Sequence, residues 1–255
     1  MSGLALVGHQ FRYDQKAFWR NPASVFFTVM FPVILFLILA VVFSGENVDV
    51  RGGIDATTYY VPAIMSLAII SATMQTLAMT LVIAREDGRL KRGRGTPMPP
   101  WVFIAGRVGN SIVVALMMLV LLAAIGAAFG ADVPWDRLPA ILLTLVIGAA
   151  AFCCLGIALT AAIPSQDAAA AIVNALLLPL YFLSGVFIPE DQIPAGVLGF
   201  ADLFPVRHFF DAFFDAYVPA GGSAVSWDNL AVVALWGIAG LVLAIRFFRW
   251  TPRSG

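Results

Sequence analysis

Six stretches of the chain contain no Asp, Glu, Lys or Arg: residues 21–45, 56–84, 108–131, 138–166, 168–189 and 229–245. Each matches or exceeds the roughly 17–25 apolar residues a helix needs to cross a bilayer core. A lipid-facing strand would alternate apolar and polar positions over about ten residues, and these stretches do not. Backbone polar groups in lipid must be satisfied within the segment, which leaves helix. Helices of a soluble bundle would each carry a polar stripe, and none is present. Charged residues make up 12% of the chain, about half their share in soluble domains. The expected fold is an all-α integral membrane domain over 1–255, with spans at 23–45, 58–84, 104–130, 138–164, 168–188 and 229–248.

Six spans put both ends of the chain on one side. That side then carries Arg12, Lys16, Arg20, Arg85, Arg89, Lys91, Arg92, Arg94, Arg107, Arg246, Arg249 and Arg253, against Arg51, Arg137 and Arg207 on the other. Twelve basic residues against three predict that the termini and the charged loop at 85–97 are cytoplasmic. About 20 residues precede the first apolar run, and no short apolar core with a small-residue cleavage site follows. A cleavable signal is therefore not expected.

Several activities lack their residues. There is no G-x-x-x-x-G-K-[ST] phosphate loop, no G-x-S-x-G and no H-E-x-x-H. The two histidines, His9 and His208, are far apart in sequence, and Cys153 and Cys154 are adjacent within a span. These cysteines read as small packing residues, and neither a disulfide nor a metal site is expected. No Asp, Glu, Lys, Arg or His stands in the middle of a span, which disfavours coupling to protons or ions. Energy for any uphill movement should then arrive from outside the membrane, and the charged loop is the natural port.

Two amphipathic pieces flank the spans. In 1–22, His9, Arg12, Lys16 and Arg20 recur at helical spacing opposite Leu4, Val7, Phe11 and Phe18, the pattern of an interfacial helix. Asn21-Pro22 should break it and open the first span. It reads either as a topological anchor or as a contact for a soluble partner. Between spans five and six, 195–201 is apolar but too short to cross. Val206, Phe209, Phe210, Phe213, Phe214 and Tyr217 then fall on one helical face, opposite Arg207, Asp211 and Asp215. This external hairpin, 189–218, is either a passive lid or an outer gate using Pro189, Phe209, Phe210, Phe213 and Phe214.

The segment "REDGRLKRGRGTPMPPWVFIAGRV" resembles the cytoplasmic loop after span two of ABC-2-type exporter permeases, the membrane subunits of ATP-binding-cassette exporters, in particular the daunorubicin-resistance-like ones. Glu86, Gly88, Arg89, Lys91, Arg92, Thr96 and Pro97 carry the match. "LLLPLYFLSGVFIPEDQIP" and "FPVRHFFDAF" resemble the end of span five and the closing of a re-entrant hairpin in the same family. The order of elements agrees along the whole chain. Gly93 and Gly95 depart from the pattern, and since each Gly costs a helix about 1 kcal/mol relative to Ala, the loop helix should end near Arg92.

The resemblance implies that the loop is a coupling helix docking on a separate ATPase. Arg85, Glu86, Asp87, Arg89, Lys91, Arg92 and Arg94 would form the contact, with Arg12 and Lys16 beside it. It implies two ATPase chains that hold ATP and Mg, no cofactor on this chain, and a second permease chain, identical or a close paralogue. Spans one, two and five would line the path, with Phe26, Phe27, Phe31, Met65, Met74, Asn174, Tyr181 and Phe182 as candidates. For any one of these, lipid or core packing is the competing reading. Met and aromatic linings suit an apolar substrate, a drug-like compound or a lipid. A polysaccharide or glycolipid exporter of the same superfamily, a non-transporting assembly subunit and an integral-membrane enzyme stay open as alternatives. No nucleic-acid partner is expected. Thirteen Arg to two Lys, with abundant Ala, suggests a GC-rich bacterium; the expected location is a bacterial inner membrane.

Overall fold

The computed structural model describes residues 3–43, 47–48, 54–94, 100–187, 194–218 and 223–251. Among them, six helices are long and apolar enough to cross a membrane. Helix α1 (Gly3–Trp19) precedes the first span, α2 (Pro22–Val42). An antiparallel ribbon follows, β1 (Asn47–Val48) on β2 (Ile54–Asp55), too short to alter the helical character of the fold. Then come α3 (Ala56–Glu86), the short α4 (Arg89–Arg94), α5 (Pro100–Ala128), α6 (Leu138–Leu159) and α7 (Gln166–Leu183). Two short helices, α8 (Ala195–Ala201) and α9 (Pro205–Tyr217), lead to the last span, α10 (Trp227–Phe247).

The first break in the chain is chemical. Pro22 occupies the first turn of α2, where its missing N–H is no loss. Asn21 caps that helix, its Oδ1 accepting from the Ser24 N–H at 3.3 Å. Helix α1 therefore ends before the span begins, and packs instead along the start of α5. There a Cβ on Gly106 would stand 2.6 Å from Gln10 Cγ.

Helix α3 is the hub of the bundle. Every residue from Tyr59 to Met74 is buried, and α3 touches α2, α5, α6, α7 and α9. A helix apolar all round suits that position. The largest helix pair is α6 against α10, and small residues allow it. Cβ atoms on Gly237 and Gly240 would come within 2.9 Å of the α6 backbone, the close approach that small residues permit between membrane helices. Cys153, buried and free, sits among such positions on α6.

Outward faces are apolar. Ile34, Ile38 and Val42 of α2 and Leu235, Ile238, Val242 and Ile245 of α10 are all exposed, as lipid or a second chain requires. Exposed Trp19 and Trp101 lie near one end of the bundle, and exposed Trp135 and Trp227 near the other, where indoles favour the membrane–water boundary.

Helix α9 is more deeply seated than a surface lid. Phe209, Phe210, Phe213, Phe214 and Tyr217 are all 2% exposed or less. They pack on α3, α6, α7 and α10, with Phe209 edge-on to Phe152 at 5.3 Å and Phe214 against Tyr59 at 5.4 Å. Arg207 sits 2.9 Å from Asp202 Oδ1 and 3.8 Å from Asp211 Oδ2. Arg137, at the entry to α6, donates to the Asp215 carbonyl (3.1 Å) at the C-terminal end of α9. His208 reaches Asn229 Oδ1 at 2.7 Å and so ties α9 to α10.

Candidate functional site

Two regions stand out: a polar seam inside the bundle, and the charged loop at one end.

The seam joins α2, α3 and α7. Helices α2 and α3 each contain a π-helical turn, at Phe26–Met30 and Ser71–Gln75. Such turns are rare and frequent at functional sites, because the widened turn re-aims side chains. The two turns lie against each other, and Thr28 and Thr76 share a hydrogen bond of 2.9 Å between their hydroxyls. Gln75 Nε2 donates to Asn174 Oδ1 at 2.9 Å, and Ser71 donates to Gln75 Oε1 at 3.2 Å. Polar side chains at such depth find one another because lipid offers no alternative. Each bond of this kind is worth about 0.6–1.7 kcal/mol, weak enough to rearrange.

The path candidates fall into three groups around this seam. Phe26, Phe27, Phe31 and Phe182 are 42–59% exposed, on the outer surface of α2 and α7. Asn174 is half-buried within the seam. Met65, Met74 and Tyr181 are buried in the core. Met65 therefore faces no surface of the single chain. Met74 borders an apolar cavity of about 240 Å³ between α6, α7, α9 and α10, lined also by Phe152, Leu177, Val206 and Trp236. The eight candidates thus do not form one surface within one chain. Sequence reasoning missed Thr28, Ser71, Gln75 and Thr76. Their signal was present, as polar residues inside runs otherwise apolar. The π turns leave no composition signal.

At the charged end, α3 stops at Glu86, and Gly88 at φ +68° makes the turn into α4. This left-handed conformation favours glycine. Arg85 does not face solvent. It is 2% exposed, and its guanidinium donates to the carbonyls of Thr160 (2.9 Å) and Ile163 (2.8 Å). Those carbonyls follow the C-terminal end of α6, where orphaned acceptors and the negative end of the helix dipole favour a cation. Arg85 Nε bonds Glu86 Oε1 at 2.7 Å, and the Glu86 side chain is itself nearly buried. Glu86 thus has a partner inside the fold. Leu90 anchors α4 from below, while Asp87, Arg89, Lys91 and Arg92 are exposed. Arg89 pairs with Asp87, and Arg92 reaches the Asp87 carbonyl at 3.3 Å. Arg12 and Lys16 are exposed on α1.

The loop candidates therefore divide into an inward pair, Arg85 and Glu86, and an outward set. Arg94 closes α4, two residues beyond the expected end near Arg92. A glycine near a helix terminus costs too little to stop it sooner. The side chain of Arg94, and residues Thr96, Pro97 and Pro189, lie outside the described residues.

A helical bundle with six helices long and apolar enough to cross a membrane among the described residues, and a basic loop helix after the second, defines a multi-pass membrane protein. The ABC-2 type transporter family matches residues 7–218, and the chain belongs to that family as an ABC-2 permease. It is 22% identical over 178 residues to the "Probable multidrug ABC transporter permease YbhR" of Escherichia coli K12, a match covering 69% of this chain and 48% of that protein. The chain thus spans about half the length of that relative. It is 24% identical over 215 residues to the "Inner membrane transport permease YadH" of the same strain, covering 80% of this chain and 83% of that protein. The "Putative transport permease YvfS" of Bacillus subtilis 168 is 20% identical over 233 residues, 91% of this chain and 92% of that one.

Proposed function

We propose that this chain is the membrane-spanning subunit of an ATP-driven exporter, lodged in a bacterial inner membrane with both termini and the charged loop in the cytoplasm. It works as a pair of permease chains, identical or closely related, on two ATPase subunits that bind ATP and Mg and carry out the hydrolysis. The observation that carries this reading is the build of the charged loop. Arg85 and Glu86 lock its root to the end of α6, and Leu90 seats α4, so the outward charges of Asp87, Arg89, Lys91 and Arg92 ride on a rigid lever. Exposed charges of both signs on a fixed element suit register on a protein surface. A lever whose root is bonded to α6 would pass a push from outside into the bundle.

The cargo in this reading is lipophilic, a drug-like compound or a lipid. The apolar cavity beside Met74 supports it, and so does the seam of weak polar bonds across α2, α3 and α7, the spans assigned to the path. Helices α8 and α9 would form the outer, re-entrant closure of that path. YbhR is named a multidrug permease, which agrees with an apolar cargo.

The test is affinity purification in mild detergent of wild-type chain and of a Lys91→Glu/Arg92→Glu double variant. Both side chains are exposed, so the thermal midpoint should be unchanged, and the ten basic residues that remain on that side keep the excess that sets insertion. Co-eluting ATPase should fall more than about tenfold, as losing interfacial charge pairs predicts. Undiminished ATPase in the variant eluate would show that the loop only sets topology.

A further inference from the structure

A second cavity, of about 160 Å³, lies at the charged end between α1, the start of α2, α3, α4 and α5. Its lining is part polar and part apolar, unlike the almost wholly apolar one beside Met74. Asp14, Arg89, Arg107 and Asn110 line it, with Phe18 as part of its apolar wall. Two of these carry buried polar atoms with no hydrogen-bond partner among the described residues: the Nε of Arg107 and the Oδ1 of Asn110. One is a donor and one an acceptor. A buried polar group left unpaired is costly, so a ligand supplying both partners removes that cost at two atoms. The Arg107 guanidinium is held in place, 4.7 Å above the Phe103 ring.

Charge narrows the ligand. Arg107 favours an anionic oxygen, and Arg89 borders the same space while pairing with Asp87 on the outer side. Asp14 faces the same space, and burial raises its carboxyl above the usual carboxylate range against the opposing pull of Arg107 and the Gln10 hydrogen bond. A cation beside Asp14 would offset the cost of burying its carboxylate. A ligand with a phosphate at one end and an ammonium at the other meets both demands. The unpaired Asn110 acceptor needs a hydrogen-bond donor, which the ammonium of ethanolamine supplies and the trimethylammonium of choline does not. A phosphoglycerol headgroup would bring net negative charge against Asp14. Depth points to lipid rather than to a soluble zwitterion. Phe18 adjoins Trp19, and Trp101 is on the same helix as Arg107. Both tryptophans are exposed at this end, as at a membrane–water boundary.

We propose that this cavity binds the headgroup of a phosphoethanolamine lipid, with its phosphate on Arg107, at the rim that Arg89 borders, and its ammonium on Asp14 and Asn110. The lipid is a bound partner rather than cargo, and the inference stands whether or not the chain exports anything. Its occupant would touch α1, α3, α4 and α5 together and so brace the interfacial helix against the loop helix.

Native mass spectrometry of the full chain in detergent, with phosphatidylethanolamine, phosphatidylcholine and phosphatidylglycerol offered at equal concentration, tests this. Phosphatidylethanolamine should be retained over each of the others by about tenfold. Asn110→Leu should erase the preference while leaving the thermal midpoint unchanged or higher, because it removes an unpaired buried atom rather than a bond. Arg107→Lys should weaken retention while keeping the charge. Free O-phosphoethanolamine displacing the lipid supports the headgroup chemistry. Equal retention of the three lipids, a preference untouched by Asn110→Leu, or free phosphoethanolamine binding without any lipid preference overturns the proposal.

Discussion

Arg85 shows how a single residue can be legible in the sequence and yet misread. Its place in a basic loop at the end of an apolar run marks it as a positive-inside charge. What its side chain does depends on α6 arriving beside it, 75 residues later in sequence. The buried guanidinium answers two carbonyls and one carboxylate. Arg85→Ala should therefore lower stability by about 3–5 kcal/mol, since it strips the partner from Glu86 and reopens the end of α6. Arg85→Lys should recover part of this, because one ammonium cannot span what the planar fork spans. Asp87→Asn, on an exposed side chain, should cost little, as surface pairs contribute about 0–1 kcal/mol. Unfolding of the three purified variants in graded denaturant checks the order, and equal midpoints for Arg85→Ala and Asp87→Asn would refute it. The same geometry makes Glu86 a poor probe of docking. A change there damages the fold first, so Lys91 and Arg92 are the cleaner sites.

Among the elements, the sequence was most readable where one physical signal dominates. Uncharged runs longer than a bilayer is thick allow little besides spans, and the bundle has six. The Phe-rich face of 206–217 stands out by its period, and α9 forms there. Its depth was not readable, because seating depends on a gap in α6. A Cβ on Gly148 would fall 2.0 Å from the Phe209 ring, so Gly148 is the socket for that side chain. Gly148→Ala should push Phe209 out and lower stability by about 1–3 kcal/mol, the usual cost of overpacking. Gly196→Ala in α8 meets nothing within 4 Å and should be neutral or slightly stabilising. Thermal unfolding in detergent separates the two, and identical midpoints would mean that α9 is not seated on α6. The π turns of α2 and α3 were invisible to pattern reasoning, because the phase shift of one extra residue shows only where a polar stripe is displaced, and these runs carry none. The tertiary fit of Thr28 to Thr76 accompanies them.

At the scale of the whole molecule, the arrangement of the two ends can be tested directly. Parity of six spans places α1, the Arg85 loop, the entry to α5 and the C-terminal Trp250 together. The contacts agree: α1 packs on α5, Arg85 bonds the segment after α6, and Phe103 lies 6.3 Å from Trp250. Among the described residues, eleven basic positions lie at that end, and two, Arg137 and Arg207, at the other. The bundle geometry alone fits either orientation, whereas insertion follows the basic excess, so this end should face the cytoplasm. Replacing Cys153 and Cys154 with Ala gives a thiol-free background, as these are the only two cysteines. Arg92→Cys then reports the basic end and Trp135→Cys the other, both at exposed side chains. An impermeant thiol reagent applied to intact cells, with the outer membrane opened where there is one, should label the Trp135 position at once. It should label the Arg92 position only after the inner membrane is opened. Removing one basic residue of twelve leaves the excess large, so Arg92→Cys should not invert the chain. Labelling at Arg92 with the inner membrane sealed would reverse the orientation, and with it the assignment of the α4 charges to a cytoplasmic partner.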